Sequence, residues 1–191
     1  MPHDNGAPHR TMNNTVWGET RVTAGNQLSD RLRQLIPSRH KDIPIDRIGE
    51  FSVLDSVHSV WMEKSTNGLP QALDPLELPT FALPNVMLID LERHPRNARI
   101  RLAGTLPCRL YGGELKGRTV HDFFAAKDAE HVLGSLFAAA DKGVPCLTQR
   151  SYVALANKHW AYTRLVLPLS EDGETVNRVF KVLEPNTFSE I

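Results

Sequence analysis

The feature that most constrains the fold is the order in which strand-like and helix-like segments follow one another. Two short apolar segments, residues 85–91 and 98–105, flank a polar turn and predict a β-hairpin. Helix-like segments come next, and three further extended segments end the chain. Strands that are grouped apart from helices are typical of an antiparallel sheet with helices on one face. The sequence therefore predicts an α+β fold.

The helices between the two groups of strands have residues that are typical of helix starts and ends. Pro107 suits the first turn of a short helix, and Gly112-Gly113 ends it. Residues 120–124 predict one further short helix. Asp128 caps a longer helix that Gly143 ends. The last three strands are predicted at residues 145–155, 158–169 and 174–183.

The N-terminal third of the chain divides into three kinds of segment. Residues 1–45 predict a flexible tail, with a short helix at 26–36 and a linker at 38–44. Residues 46–66 predict an amphipathic helix with Asp46 as its N-cap and an unusually wide apolar face. The main domain then spans residues 67–186. The wide face either packs wholly on this domain or packs partly on a partner chain, and the pattern leaves both open.

Charge and hydropathy argue against several classes of protein. There are 22 basic and 22 acidic residues, so no global positive field attracts nucleic acid or an acidic membrane. No apolar run approaches the ~20 residues of a membrane-spanning helix. The N-terminus lacks the apolar core of a signal peptide, and Cys108 and Cys146 are expected to be free thiols. We therefore expect a cytoplasmic protein that binds neither nucleic acid nor membranes.

Motifs for catalysis are absent from the sequence. It contains no glycine-rich phosphate or dinucleotide loop, no zinc-binding helix motif and no nucleophile elbow. No pair of histidines has the spacing of a metal site. We therefore expect a protein that is not an enzyme and that binds no metal.

The same segments resemble a known family. Over about residues 51–185, the chain is similar to an alphaproteobacterial PAS-like domain family, here as a stand-alone PAS domain. The segments that carry the resemblance are short and occur in a fixed order: Trp61, Leu69-Pro70, residues 74–79, residues 83–90, residues 100–105, residues 110–112, residues 115–118, Tyr162, Arg164-Leu165 and residues 167–169.

The resemblance implies a fold and a general role. It implies a five-stranded sheet in which the strands lie side by side in the order second, first, fifth, fourth, third. Domains of this kind are sensory or protein-interaction modules. Their N-terminal helix often covers the outer sheet face and pairs in dimers, which implies a homodimer through Phe51, Leu54, Val57 and Trp61. A second protein, whose identity the family does not give, would receive the signal.

The resemblance also implies a pocket between sheet and helices, for a small and largely apolar ligand. Arg164 alternates with Tyr162 and Trp160. It is either solvated or at a dimer edge, or it faces this pocket and holds an anionic ligand bidentately. The aromatic candidates either line the pocket or simply form core. The predicted ligand-binding residues are Phe123, Phe124, Leu136, Phe137, Tyr152, Tyr162 and Arg164.

Three alternatives remain open at this stage. A small α+β enzyme would use His121 and Asp122 in the pocket for acid–base chemistry. A haem protein would use His121 or His131 as the axial ligand. A scaffold without a ligand would act only through protein contacts. The sequence leaves the cofactor unknown.

Overall fold

The structure is a computed structural model, and it describes residues 39–122, 124, 126–155 and 158–191. The helix predicted at residues 26–36 lies outside these residues. Helices α1, α2 and α3 are Ser52–Lys64, Thr105–Tyr111 and Ala126–Lys142. Strands β1 to β7 are Arg39–Asp42, Val86–Arg93, Arg96–Ala103, Cys146–Leu155, Lys158–Leu169, Arg178–Leu183 and Ser189–Glu190. Short 3-10 turns are Ile45–Glu50, Pro75–Glu77, Leu83–Asn85, Val120–Asp122 and Pro185–Thr187.

The strands form one antiparallel sheet, which confirms the predicted α+β fold. The order along the sheet is β1-β4-β5-β6-β2-β3, and β7 pairs with β5. The order of the five strands β2 to β6 is the one that the resemblance implied. The predicted count of five was wrong, because the described residues form seven strands. One extra strand is β1, which pairs with the edge strand β4 although its residues were predicted as tail and linker.

The middle strands are buried on both faces, because helices cover each side of the sheet. Successive side chains of a strand point to opposite faces. On β5, Leu165 and Leu167 therefore join one apolar cluster with α1, while Tyr162 and Val166 join the other with α2 and α3. We call the α1 side the outer face and the α3 side the inner face. The nearly continuous apolar runs in the sequence reflect this double burial.

Helix α1 is fixed to the outer face by its apolar side and by two polar contacts. Leu54 and Val57 are fully buried against the sheet. The indole nitrogen of Trp61 donates a hydrogen bond of 2.9 Å to the carbonyl oxygen of Pro168. At the start of the helix, the buried carboxylate of Glu184 accepts a 3.0 Å hydrogen bond from the amide of Val53. A carboxylate at a helix N-terminus satisfies an amide and favours the helix dipole.

The predicted start of this helix was wrong, and its apolar residues pack within their own chain. A 3-10 turn at Ile45–Glu50 precedes α1, which begins at Ser52 with Phe51 as its N-cap, so Asp46 does not cap it. Leu54, Val57 and Trp61 are buried within their own chain, and Phe51 packs against the same cluster. Leu54, Val57 and Trp61 thus cover the sheet of their own chain, whereas Phe51 is half-buried, and the dimer interface stays a prediction. The helix therefore packs on its own domain.

None of the described helices is both long and apolar enough to cross a membrane. Cys108 and Cys146 are both free thiols.

Truncation of a buried α1 residue should destabilise the fold. Leu54→Ala leaves a cavity under the helix and should lower the free energy of unfolding by about 2–5 kcal/mol. Met62→Ala is the matched control, since Met62 lies on the same helix and is 50% exposed; it should change the free energy by about 0.5 kcal/mol or less. Urea denaturation followed by circular dichroism measures both. Equal effects of the two variants would contradict the docking of α1.

Candidate functional site

The register of three strands brings polar side chains together on the inner face. Strand β1 pairs with β4, and β4 pairs with β5, so that residues in register point to the same side of the sheet. The two cross-strand rows are Asp42–Thr148–Arg164 and His40–Arg150–Tyr162. The sheet thus sets two arginines beside one another beneath α3.

Arg164 lies at the centre of this polar region and is only 1% exposed. Its Nε donates a 3.0 Å hydrogen bond to the hydroxyl of Thr148, and its Nη2 donates a 2.5 Å hydrogen bond to the hydroxyl of Ser135 on α3. Its Nη1 has no hydrogen-bond partner among the described residues. A buried donor without a partner is costly, so an acceptor that reached this nitrogen would relieve that cost.

A cleft of about 170 Å³ opens above Arg164, between the C-terminal half of α3 and the sheet. We call it the inner cleft. It is lined by one face of α3 and by strands β1, β4 and β5. The lining residues are His40, Asp42, Ser135, Ala138, Ala139, Lys142, Cys146, Thr148, Arg164 and Val166. The volume exceeds by far the roughly 10–15 Å³ that one water molecule needs.

Positive charge is concentrated under the cleft. Arg150 and Lys181 are buried on the inner face as well, with exposures of 1% and 3%. Burial, followed by the charge of Arg150, lowers the pKa of Arg164 to about 10. Burial also lowers the pKa of Lys181 to about 8, and the two arginines add to this effect. Within the described part of the chain, neither Arg164 nor Lys181 forms an ion pair with a carboxylate.

His40 forms part of the cleft wall as a neutral imidazole. Partial burial lowers its pKa well below the usual 6.5, and the charges of Arg150 and Arg164 lower the pKa further. The histidine retains some exposure to solvent, which screens part of this repulsion. His40 therefore adds no positive charge to the cleft at neutral pH.

Two tyrosines respond to the same buried charges. The Nζ of Lys181 donates a 3.1 Å hydrogen bond to the hydroxyl of Tyr111. Burial raises the pKa of Tyr111, and the nearby Tyr162 raises it further. Burial alone would also raise the pKa of Tyr162. The charges of Lys181, Arg150 and Arg164 outweigh burial and lower it to about 7.

Among the predicted ligand-binding residues whose side chains the structure describes, only Arg164 lines the cleft. Phe124, Leu136, Phe137 and Tyr162 are buried in the inner apolar cluster, and the void beside Phe124 and Leu136 measures only about 10 Å³. These four side chains belong to the packed interior, and the void that Phe124 and Leu136 line is too small for a ligand, so their role in ligand binding stays a prediction. Phe123 and the side chain of Tyr152 lie outside the described residues. Burial likewise excludes the solvated alternative for Arg164.

The residues of the enzyme and haem alternatives lie elsewhere. The carboxylate of Asp122 accepts hydrogen bonds from the amide and the hydroxyl of Thr119, and these bonds lower its pKa. A carboxylate that is held in its own turn is a weak base. His121 and His131 are exposed, whereas an axial haem ligand lies in a deep cavity. Among the described residues, no group of three or more His, Cys, Asp or Glu side chains is placed to hold a metal ion.

Several residues of the site were not predicted from the sequence. His40 and Asp42 were missed because β1 was not predicted. Ser135 and Lys142 are seven positions apart on α3, which places them on one helix face, and this spacing was the signal for them. Arg150 and Lys181 were missed because a charged residue inside a strand is usually solvated.

The lowered pKa of Tyr162 predicts an unusual titration. The chain has three tyrosines, and one of them should ionise near pH 7 in the folded protein, as measured by phenolate absorbance. Tyr162→Phe should remove this step, and Lys181→Met should move it to higher pH. The unfolded state binds this proton more tightly, so the group stabilises the fold increasingly as the pH rises from about 7 towards 10.

Wild-type protein that is unfolded in denaturant is the control for this titration, since all its tyrosines should titrate near the ordinary value of about 10. A folded protein in which no tyrosine ionises below pH 9 would contradict the proposed electrostatics of the inner face.

Comparison with known proteins agrees with the fold. The sequence profile described as the PAS domain matches residues 52–184, which is most of the chain and runs from the first residue of α1 to the residue after β6. Neither the comparison with curated proteins nor that with solved structures found a match. The alphaproteobacterial subgroup stays a prediction. On the match and the sheet together, the chain belongs to the PAS domain family.

Proposed function

We propose that this PAS domain is a sensory module that binds a small molecule in the inner cleft and signals through contacts with another protein. The observation that carries the proposal is the buried Arg164 at the floor of an open cleft, with one nitrogen that lacks a partner among the described residues. A buried donor of this kind favours a polar group on the ligand. The proposal therefore favours a ligand with a polar group, whereas the sequence suggested a largely apolar one.

Two elements are placed to transmit binding. The Nη2 of Arg164 is bonded to Ser135, so a ligand that draws the guanidinium towards itself acts directly on α3. Strand β1 forms the other wall, and its contact with the sheet is a single short edge pairing with β4. A ligand that binds one arrangement of these elements more tightly than another shifts their populations. The partner protein would detect that shift.

A role in signalling without catalysis is part of the proposal. Asp122 is engaged in its own turn and does not line the cleft. The free thiols of Cys108 and Cys146 support a reducing compartment such as the cytoplasm. Large exposed apolar side chains that remain for a protein contact are Met62, Leu76 and Phe81.

Ligand binding predicts a stabilisation that depends on the open cleft. At a concentration about 100 times its dissociation constant, a ligand adds about 2.7 kcal/mol. For a chain of this size, the melting temperature should then rise by roughly 5–10 °C. We expect at least one compound of a metabolite library to produce such a shift, measured by differential scanning fluorimetry.

The variant Ala138→Phe fills the cleft from α3 and should abolish the shift. Glu130→Phe is the matched control, because Glu130 is exposed on the same helix and does not line the cleft. If no compound shifts the wild type, or if a shift persists in Ala138→Phe, the ligand-binding role is excluded and a ligand-free scaffold remains.

We also propose that the protein is a homodimer, as PAS domains often are. Multi-angle light scattering should give twice the mass of one chain at micromolar concentrations. Removal of α1 is not a clean test, because it would uncover Leu165 and Leu167 on the outer face. If the intact chain has the mass of a monomer at every concentration measured, the homodimer is excluded.

A further inference from the structure

We infer that the inner cleft binds a small organic monocarboxylate, whose carboxylate pairs with Arg164 and whose short chain lies against α3. This inference rests on the proposed function, since it assigns a ligand class to the same cleft. It is carried by the charge of the cleft lining, the free donors of Arg164 and the apolar part of the wall.

The charge of the lining matches one negative charge. Arg164 and Lys142 are the two cationic residues of the lining, Asp42 is its acidic residue, and His40 is neutral. The formal charge of the described lining is therefore +1. Arg150 and Lys181 lie deeper, and their buried charges add to the attraction of an anion. A dianion such as phosphate monoester would face Asp42 with excess negative charge.

The hydrogen bonds of Arg164 leave donors for a carboxylate. Each terminal guanidinium nitrogen carries two hydrogens. Nη2 uses one of them on Ser135, and Nη1 uses none among the described residues. A carboxylate can take one hydrogen from each nitrogen in the paired geometry that arginine favours. Thr148 and Ser135 hold the guanidinium in place, so little ordering is required when the ligand binds.

The rest of the wall suits a short chain. Ala138, Ala139 and Val166 form apolar surface beside the polar floor. Small side chains on α3 leave the space open, and the volume of about 170 Å³ accommodates a few heavy atoms beyond the carboxylate. The arrangement is a polar end and an apolar side, which is the usual design of a small-molecule site.

The test compares butyrate with its neutral isostere butyramide on the full-length protein. Binding is measured by the shifts of the backbone amides of Ser135, Ala139 and Thr148 in two-dimensional NMR spectra. Butyrate should bind roughly ten- to a hundredfold more tightly than butyramide, since it gains charge-assisted hydrogen bonds. Inorganic phosphate is the third probe and should bind more weakly than butyrate.

Substitutions in the cleft lining test whether Arg164 and the net charge of the cleft determine the preference for a carboxylate. Arg164→Met should remove the preference for butyrate over butyramide. If that variant does not fold, two surface variants serve instead: Asp42→Asn should tighten butyrate binding several-fold, and Lys142→Met should weaken it several-fold. Lys116→Met is the matched control, because Lys116 is exposed and lies outside the cleft.

Each outcome separates this inference from the proposed function. Equal binding of butyrate and butyramide overturns the carboxylate but leaves a ligand-binding cleft. Tighter binding of phosphate than of butyrate overturns it in favour of a dianion. If no probe binds, the carboxylate is also overturned, and the metabolite-library shift with Ala138→Phe then decides the sensory role by itself.

Discussion

Coverage of both sheet faces is the constraint on which the rest of this structure depends. With α1 on the outer face and α3 on the inner face, water does not reach the middle of β5 and β6. Any charge on these strands must be balanced by groups of the protein or by a ligand, since isolated charges are strongly disfavoured in an interior. Arg164 and Lys181 are such charges, and the chemistry of the inner face follows from their position.

The balance of these charges ties the core to the cleft. The described residues offer no carboxylate to Arg164 or Lys181, and the acidic phenol of Tyr162 is the group on the inner face that gains most from their field. A ligand anion above Arg164 would compete with Tyr162 for the same positive potential. Occupancy of the cleft and ionisation of Tyr162 should therefore be coupled through Arg164.

The fold was predictable from the sequence because strands that are buried on both faces are nearly continuous apolar runs. The residues that line the cleft could be predicted only in part. Residues 39–42 are polar and have no strand pattern; they become β1 because the edge of β4 offers unpaired backbone groups. Alternation predicted that Arg164 and Tyr162 share a face, but not that this face is buried. Nor does a sequence distinguish aromatic side chains that line a cavity from those, like Phe124 and Phe137, that fill the interior.

The capping of α1 by Glu184 has a consequence for how the domain assembles. Glu184 lies 131 positions after Val53, whose amide donates to its carboxylate. Trp61 and its acceptor Pro168 are 107 positions apart. The first helix of the domain thus has its partners on β5 and directly after β6, which are synthesised more than 100 residues later. During synthesis the apolar side of α1 stays exposed until the C-terminal strands have been made. The helix therefore docks late, because docking depends on completion of those strands. A nascent chain stalled before residue 184 would expose this helix to chaperones.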